Sequence, residues 1–158
     1  MTEEASINYS ITEAEWVRAA DMRLKENVFP LFDCFYGLVS FRVGGEEVLA
    51  DGGFEMSVGD LAVGLAQVWA ELRTGVCGVF KFQQSEDMLE ISFDASRESV
   101  TVSHNLLPDR KWTCRRSALE KAIVDFVISF TNEASGRVAE LVGWKDMEIL
   151  RYFSTQQT

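Results

Sequence analysis

The strongest constraint on the fold of this chain is a change of hydrophobic period near residue 75. Between Ser57 and Arg73, the apolar residues Leu61, Leu65, Val68, Trp69 and Leu72 recur at helical spacing, which demands a helix with one buried face. Ser57 and Asp60 hold the cap and N3 positions, Met56 and Leu61 flank them as a staple, and Gly75 stands just past Arg73 as a stop. From Cys77 the period falls to two. Runs at 79–83, 89–93 and 99–103 are separated by the turn residues Ser85-Glu86-Asp87 and Ala95-Ser96-Arg97, and a run at 111–115 follows Pro108-Asp109. Connections this short join antiparallel strands, whereas parallel strands need long crossovers.

The flanking segments extend the pattern. Thr12 and Glu15 have capping-box spacing with Ile11 and Trp16 at the staple positions, so a first helix is expected from Thr12. Its stripe is Trp16, Val17, Ala20 and Leu24, and it should end before Phe29-Pro30. Phe35, Val39, Phe41 and Val43 then alternate with Tyr36, Leu38, Ser40 and Arg42, a strand expected at the centre of its sheet. Gly44-Gly45 is a hairpin signal, with 46–50 returning antiparallel. Ser117 and Glu120 are expected to open a long helix with Leu119, Ile123, Phe126, Val127 and Phe130 on one face. Residues 144–153 read equally as a short helix or a docking extension. The expected fold is therefore α+β, two layers, with a largely antiparallel sheet of about six strands and three main helices in the order α-ββ-α-ββββ-α. One domain over 1–158 is expected, with 1–10 and 154–158 as flexible ends.

Charge narrows the function. Between Arg42 and Arg73 lie Glu46, Glu47, Asp51, Glu55, Asp60 and Glu71 with no basic residue, and between Lys81 and Arg97 lie Glu86, Asp87, Glu90 and Asp94. The net charge is −10. Such a field repels nucleic acid and anionic lipid and speeds encounter with a basic protein. Glu46, Glu47, Asp51, Glu55, Glu86, Asp87 and Glu90 are the candidate partner-binding acids, expected to form one surface around the hairpin turns. Trp112, which lies among charges, is the candidate aromatic anchor. Arg110, Lys111, Arg115, Arg116 and Lys121 form an opposing basic stretch that could complement the acids internally or across a homodimer. The opening Met1-Thr2-Glu3-Glu4 has neither a positive region nor an apolar run, so no signal peptide and a cytoplasmic location are expected.

Few residues offer chemistry. His104 is the single histidine and adjoins Ser103, but strand neighbours point to opposite faces and cannot pair as base and nucleophile. The three cysteines, Cys34, Cys77 and Cys114, are widely spaced. Cys77, His104 and Cys114 lack the paired spacing of a structural zinc site, so no metal or cofactor is expected. Cys114 lies near Lys111, Arg115 and Arg116, which would favour a thiolate, although buried packing is the simpler reading. Adjacent carboxylates such as Glu46 and Glu47 diverge rather than converge as a glycosidase pair must.

With its hairpin over 35–50, the capped helix from Ser57 to Arg73, the meander from Val79 and the helix opening at Ser117, the chain resembles the small acidic immunity proteins that bacteria pair with toxins. That resemblance implies stoichiometric inhibition of a cognate toxin domain, without chemistry. It is also similar in size and acidity to class I type III secretion chaperones, which dimerise and wrap an extended effector segment. A small enzyme using carboxylates or Cys114 is the third alternative.

Overall fold

The computed structural model describes residues 4–25, 35–84, 89–138 and 145–157. Their element order is β1 (Ala5–Ser10), α1 (Glu13–Lys25), β2 (Tyr36–Val43), β3 (Glu46–Glu47), β4 (Phe54–Ser57), α2 (Val58–Arg73), β5 (Gly78–Gln83), β6 (Glu90–Ala95), β7 (Ser99–His104), β8 (Trp112–Arg115), α3 (Arg116–Arg137) and α4 (Lys145–Thr155). The class is α+β, but the single six-stranded sheet expected from the sequence is replaced by two antiparallel sheets of four strands. The first contains β1, β2, β3 and β4, and the second runs β5-β6-β7-β8.

Two local events account for the difference. Ala5, Ile7 and Tyr9 alternate with Ser6, Asn8 and Ser10, so a segment expected to lie outside the elements pairs with β2 over six registered positions, from Ala5 opposite Val43 to Ser10 opposite Leu38. The strand returning from Gly44-Gly45 then breaks after two residues and rejoins the same edge of β2 as β4, with Phe54 opposite Val39 and Ser57 opposite Tyr36. The excursion between them interrupts that edge. β2 is central, as its two-sided apolar pattern predicts.

The helices cover the apolar faces. Phe35, Val39, Phe41 and Val43 are buried, and the Tyr9 ring meets Phe126 and Phe130 of α3 edge-on at 5.7 and 6.0 Å. In α2, Leu61, Leu65, Val68 and Leu72 are buried, and the Ser57 hydroxyl accepts from the Asp60 N–H at 3.2 Å, as the cap spacing predicts. Gly64 lets α2 approach β5 closely, because a Cβ there would overlap the ring of Phe82. Phe41 stacks on Phe93 at 6.5 Å, joining the two sheets through one core.

Other boundaries differ. α1 begins at Glu13 with the Thr12 hydroxyl accepting from Glu15 N–H, but among its described side chains the buried ones are Trp16 and Ala19, Val17 is exposed, and Leu24 lies outside the described side chains. Its expected end before Phe29-Pro30 lies outside the described residues. α3 starts at Arg116 without a side-chain cap, so Ser117 and Glu120 are not its capping box. The five apolar residues expected on its buried face are all buried, and 145–155 is helical.

Candidate functional site

The acidic window begins at the β2–β3 turn. Gly44 and Gly45 take φ of 61° and 82°, the left-handed pair that a tight hairpin requires. Glu46 follows and projects outward. Glu47 turns inward: its carboxylate accepts from the Ser40 hydroxyl at 2.8 Å, the Phe41 N–H at 2.8 Å and Arg42 Nε at 3.2 Å. The Phe41 carbonyl takes the Val48 N–H at 2.7 Å. A side chain thus replaces the strand partner that Phe41 loses where the edge breaks. Glu47 is a structural acid, which corrects its place among the exposed binding residues.

The β7–β8 connection reaches the same end of the molecule. His104 Nε2 lies 2.7 Å from the Val48 carbonyl, which can only accept, so Nε2 carries the proton. Nδ1 is buried without a partner among the described residues. The imidazole stacks on Trp112 at 5.7 Å with 8° between planes, and the Arg110 guanidinium lies 5.0 Å from the centre of the Trp112 ring. Arg110 also reaches Glu46 at 3.4 Å. Trp112 is 5% exposed and therefore a core residue, which corrects its assignment as an anchor. The apolar groups displayed here are instead Leu106 and Leu107, which precede Pro108. Their signal was a pair of leucines in a turn, where burial is not available.

The remaining candidate acids divide. Glu90 at the start of β6 is tied to Asn105 through its backbone and to Lys81 through its carboxylate at 3.1 Å. Asp51 is exposed in the excursion after Val48, and Glu55 is exposed on the open face of the first sheet opposite Leu38. Neither has an ion-pair partner among the described residues. Glu86 and Asp87 lie outside the described residues. The opposing basic stretch is used in part internally: Arg110 with Glu46, Arg116 with Glu120, and Lys121 with Asp125.

Titratable groups shifted from their ordinary values have structural causes. Burial pushes the Cys114 thiol up to about 11, against any thiolate role at neutral pH. Burial is also the main cause that raises the Tyr9 phenol. The Glu15 carboxyl is pushed up by burial, but the Arg18 guanidinium and the N–H groups of Tyr36 and Phe35 outweigh that and hold it low. Cys77 is exposed, Cys114 is buried, and no cluster of three metal-ligating side chains forms among the described residues. No helix among them is long and apolar enough to cross a membrane. No protein-family model matches the chain, and neither the curated proteins nor the solved structures contain a match to it.

Proposed function

We propose that this chain is a stoichiometric protein binder that neutralises a basic partner, in the manner of an immunity protein acting on a cognate toxin domain. The observation that carries this reading is the acid left unmatched at the surface. Glu47 is consumed within the fold, and Glu46 and Glu90 are matched by Arg110 and Lys81, yet Asp51 and Glu55 remain exposed without a cation among the described residues. Unmatched surface charge contributes little to stability but steers association with an oppositely charged protein. Leu106 and Leu107 supply the apolar contact that charge alone lacks.

The test is co-expression with the product of the neighbouring gene, followed by association kinetics at two ionic strengths. Rising salt should slow association steeply and change dissociation less. Asp51→Lys with Glu55→Lys should reproduce the slowing at low salt while leaving the fold intact. Tight binding that ignores both salt and the double reversal would overturn the reading. Glu47 is unsuitable for this test, since reversing it would disrupt β2.

A further inference from the structure

The second candidate surface is the outer edge of β1. Gly44 N–H donates to the Glu4 carbonyl at 2.9 Å, which sets the phase of the β1–β2 ladder. In an antiparallel pair both backbone groups of one residue point to the same side and alternate along the strand. Ser6, Asn8 and Ser10 therefore bond to β2, and the N–H and C=O of Ala5, Ile7 and Tyr9 point away from the sheet. Phe41, opposite Ile7, confirms the phase, because its own groups serve Glu47 and Val48 on the far side of β2. Among the described residues no backbone hydrogen bond reaches those outward groups of β1.

Exposed edges are normally blunted by charge, proline or a bulge. The opposite sheet follows that rule, with Lys81 on its edge strand β5. β1 does not: its sequence, ASINYS, has no charge and no proline, and its register runs without a bulge. Two clefts lie beside α3, the first across the start of β1 and the end of β2, the second along β1 alone. One, of ≈ 450 Å³, is bounded by Glu4, Ser6, Arg42 and Lys121. The other, of ≈ 460 Å³, is bounded by Asn8, Tyr9, Asp125, Ser129 and Glu133.

We infer that the β1 edge accepts an extended segment of a basic protein partner as a fifth strand of the first sheet, with side chains of that segment entering the second cleft, against α3. Main-chain pairing supplies affinity in such additions, and alternate side chains supply selectivity. Basic side chains fit the second cleft, where Asp125 and Glu133 line the wall and the rings of Tyr9 and Phe126 can carry an aliphatic stem. Lys121 and Arg137 already touch these acids, but exposed ion pairs exchange partners at little cost. A second copy of this chain is a poorer occupant, since it would bring its own charge of −10 to the same edge. The inference rests on the reading of the chain as a binder of a basic protein and adds where and how that partner is held.

The probe is a blocked peptide of alternating lysine and valine, titrated into the full chain while NMR follows backbone amide exchange. The N–H groups of Ala5, Ile7 and Tyr9 should become protected. Ala5→Pro removes an outward donor without touching the ladder to β2, because proline is tolerated where an edge N–H faces outward. It should weaken the peptide about tenfold. Ser6→Lys with Asn8→Lys, which adds like charge beside the peptide, should do the same and serves if the proline variant fails to fold. Unchanged affinity in both, or protection confined to other strands, would overturn the proposal. Loss of binding in Asp51→Lys with Glu55→Lys but not in the edge variants would leave the basic-partner reading standing and remove the edge from it. Equal binding of a glutamate–valine peptide, still blocked by the edge variants, would keep the strand addition and defeat the preference for a basic partner. No binding of the lysine peptide would overturn the edge proposal alone.

Discussion

Glu47 and Glu46 are neighbours with opposite fates, and the reason is where the returning strand breaks. A carboxylate accepting from one backbone N–H, one hydroxyl and one guanidinium cannot be removed without orphaning Phe41 in the core face of β2. Glu47→Ala should cost about 1–3 kcal/mol by urea unfolding, whereas Glu46→Ala should be nearly neutral. Equal losses for the two would refute the division. Glu15 gives a pH signature. Its folded value lies below its unfolded one, so its contribution is complete above about pH 4.3 and disappears as pH falls through the folded value. The stability gap between the native chain and Glu15→Gln should therefore be widest at neutral pH and close in acid. Cys114 should resist thiol labelling until the protein unfolds while Cys77 labels freely, read by mapping the labelled peptides. The burial of Cys114 was the simpler reading of the sequence, but the roles of Glu47 and Glu15 were not legible in it. Glu47 depends on a bulge-like break two residues after a turn, and Glu15 on a backbone N–H twenty-one positions away.

What could be read locally was read at the level of whole elements. Helix α2 announces itself because cap, staple, stripe and stop all lie within twenty residues of one another, and the structure reproduces the cap, the stop at Gly75 and four of the five stripe residues as buried, with Trp69 half-buried. The start of α3 fails for the opposite reason. Ser117 and Glu120 have the right spacing, but Arg116 is buried and donates to the carbonyls of Leu72, Val76 and Ser96, and the cap falls two residues earlier, at Arg115. β1 carries a clear period of two, yet its polar half made it look like a terminal tail. Leu65→Ala should cost about 2–5 kcal/mol, because the side chain is fully enclosed between α2 and its neighbours. Gly64→Ala tests the helix-to-strand approach more sharply. Helix propensity alone would make alanine stabilising by about 1 kcal/mol, but the added methyl must displace the buried Phe82 ring, and overpacking of that kind costs about 1–3 kcal/mol. A more stable Gly64→Ala variant would mean that β5 yields, and that the second sheet is less firmly held against α2 than its core suggests.

Charge acts on the molecule as a whole and in two directions. A net charge of −10 on 158 residues repels itself in the compact state more than in the expanded chain, and the same field attracts a basic partner. The internal ion pairs do not offset this, because those joining Arg42, Lys81, Arg110 and Lys121 to their acids all involve at least one side chain that is more than half exposed. Such pairs are worth little and are screened by salt. Added salt should then have opposite effects on folding and binding. Raising ionic strength from low to physiological should increase the urea midpoint modestly by screening self-repulsion, and over the same range it should slow association with the partner. Both can be measured on one preparation. A midpoint that falls with salt would show that the ion pairs outweigh the surplus, and that the acidic surface is already matched within the fold. In that case the unmatched acid at Asp51 and Glu55 would have no field behind it, and recognition would have to rest on Leu106, Leu107 and the open strand edge.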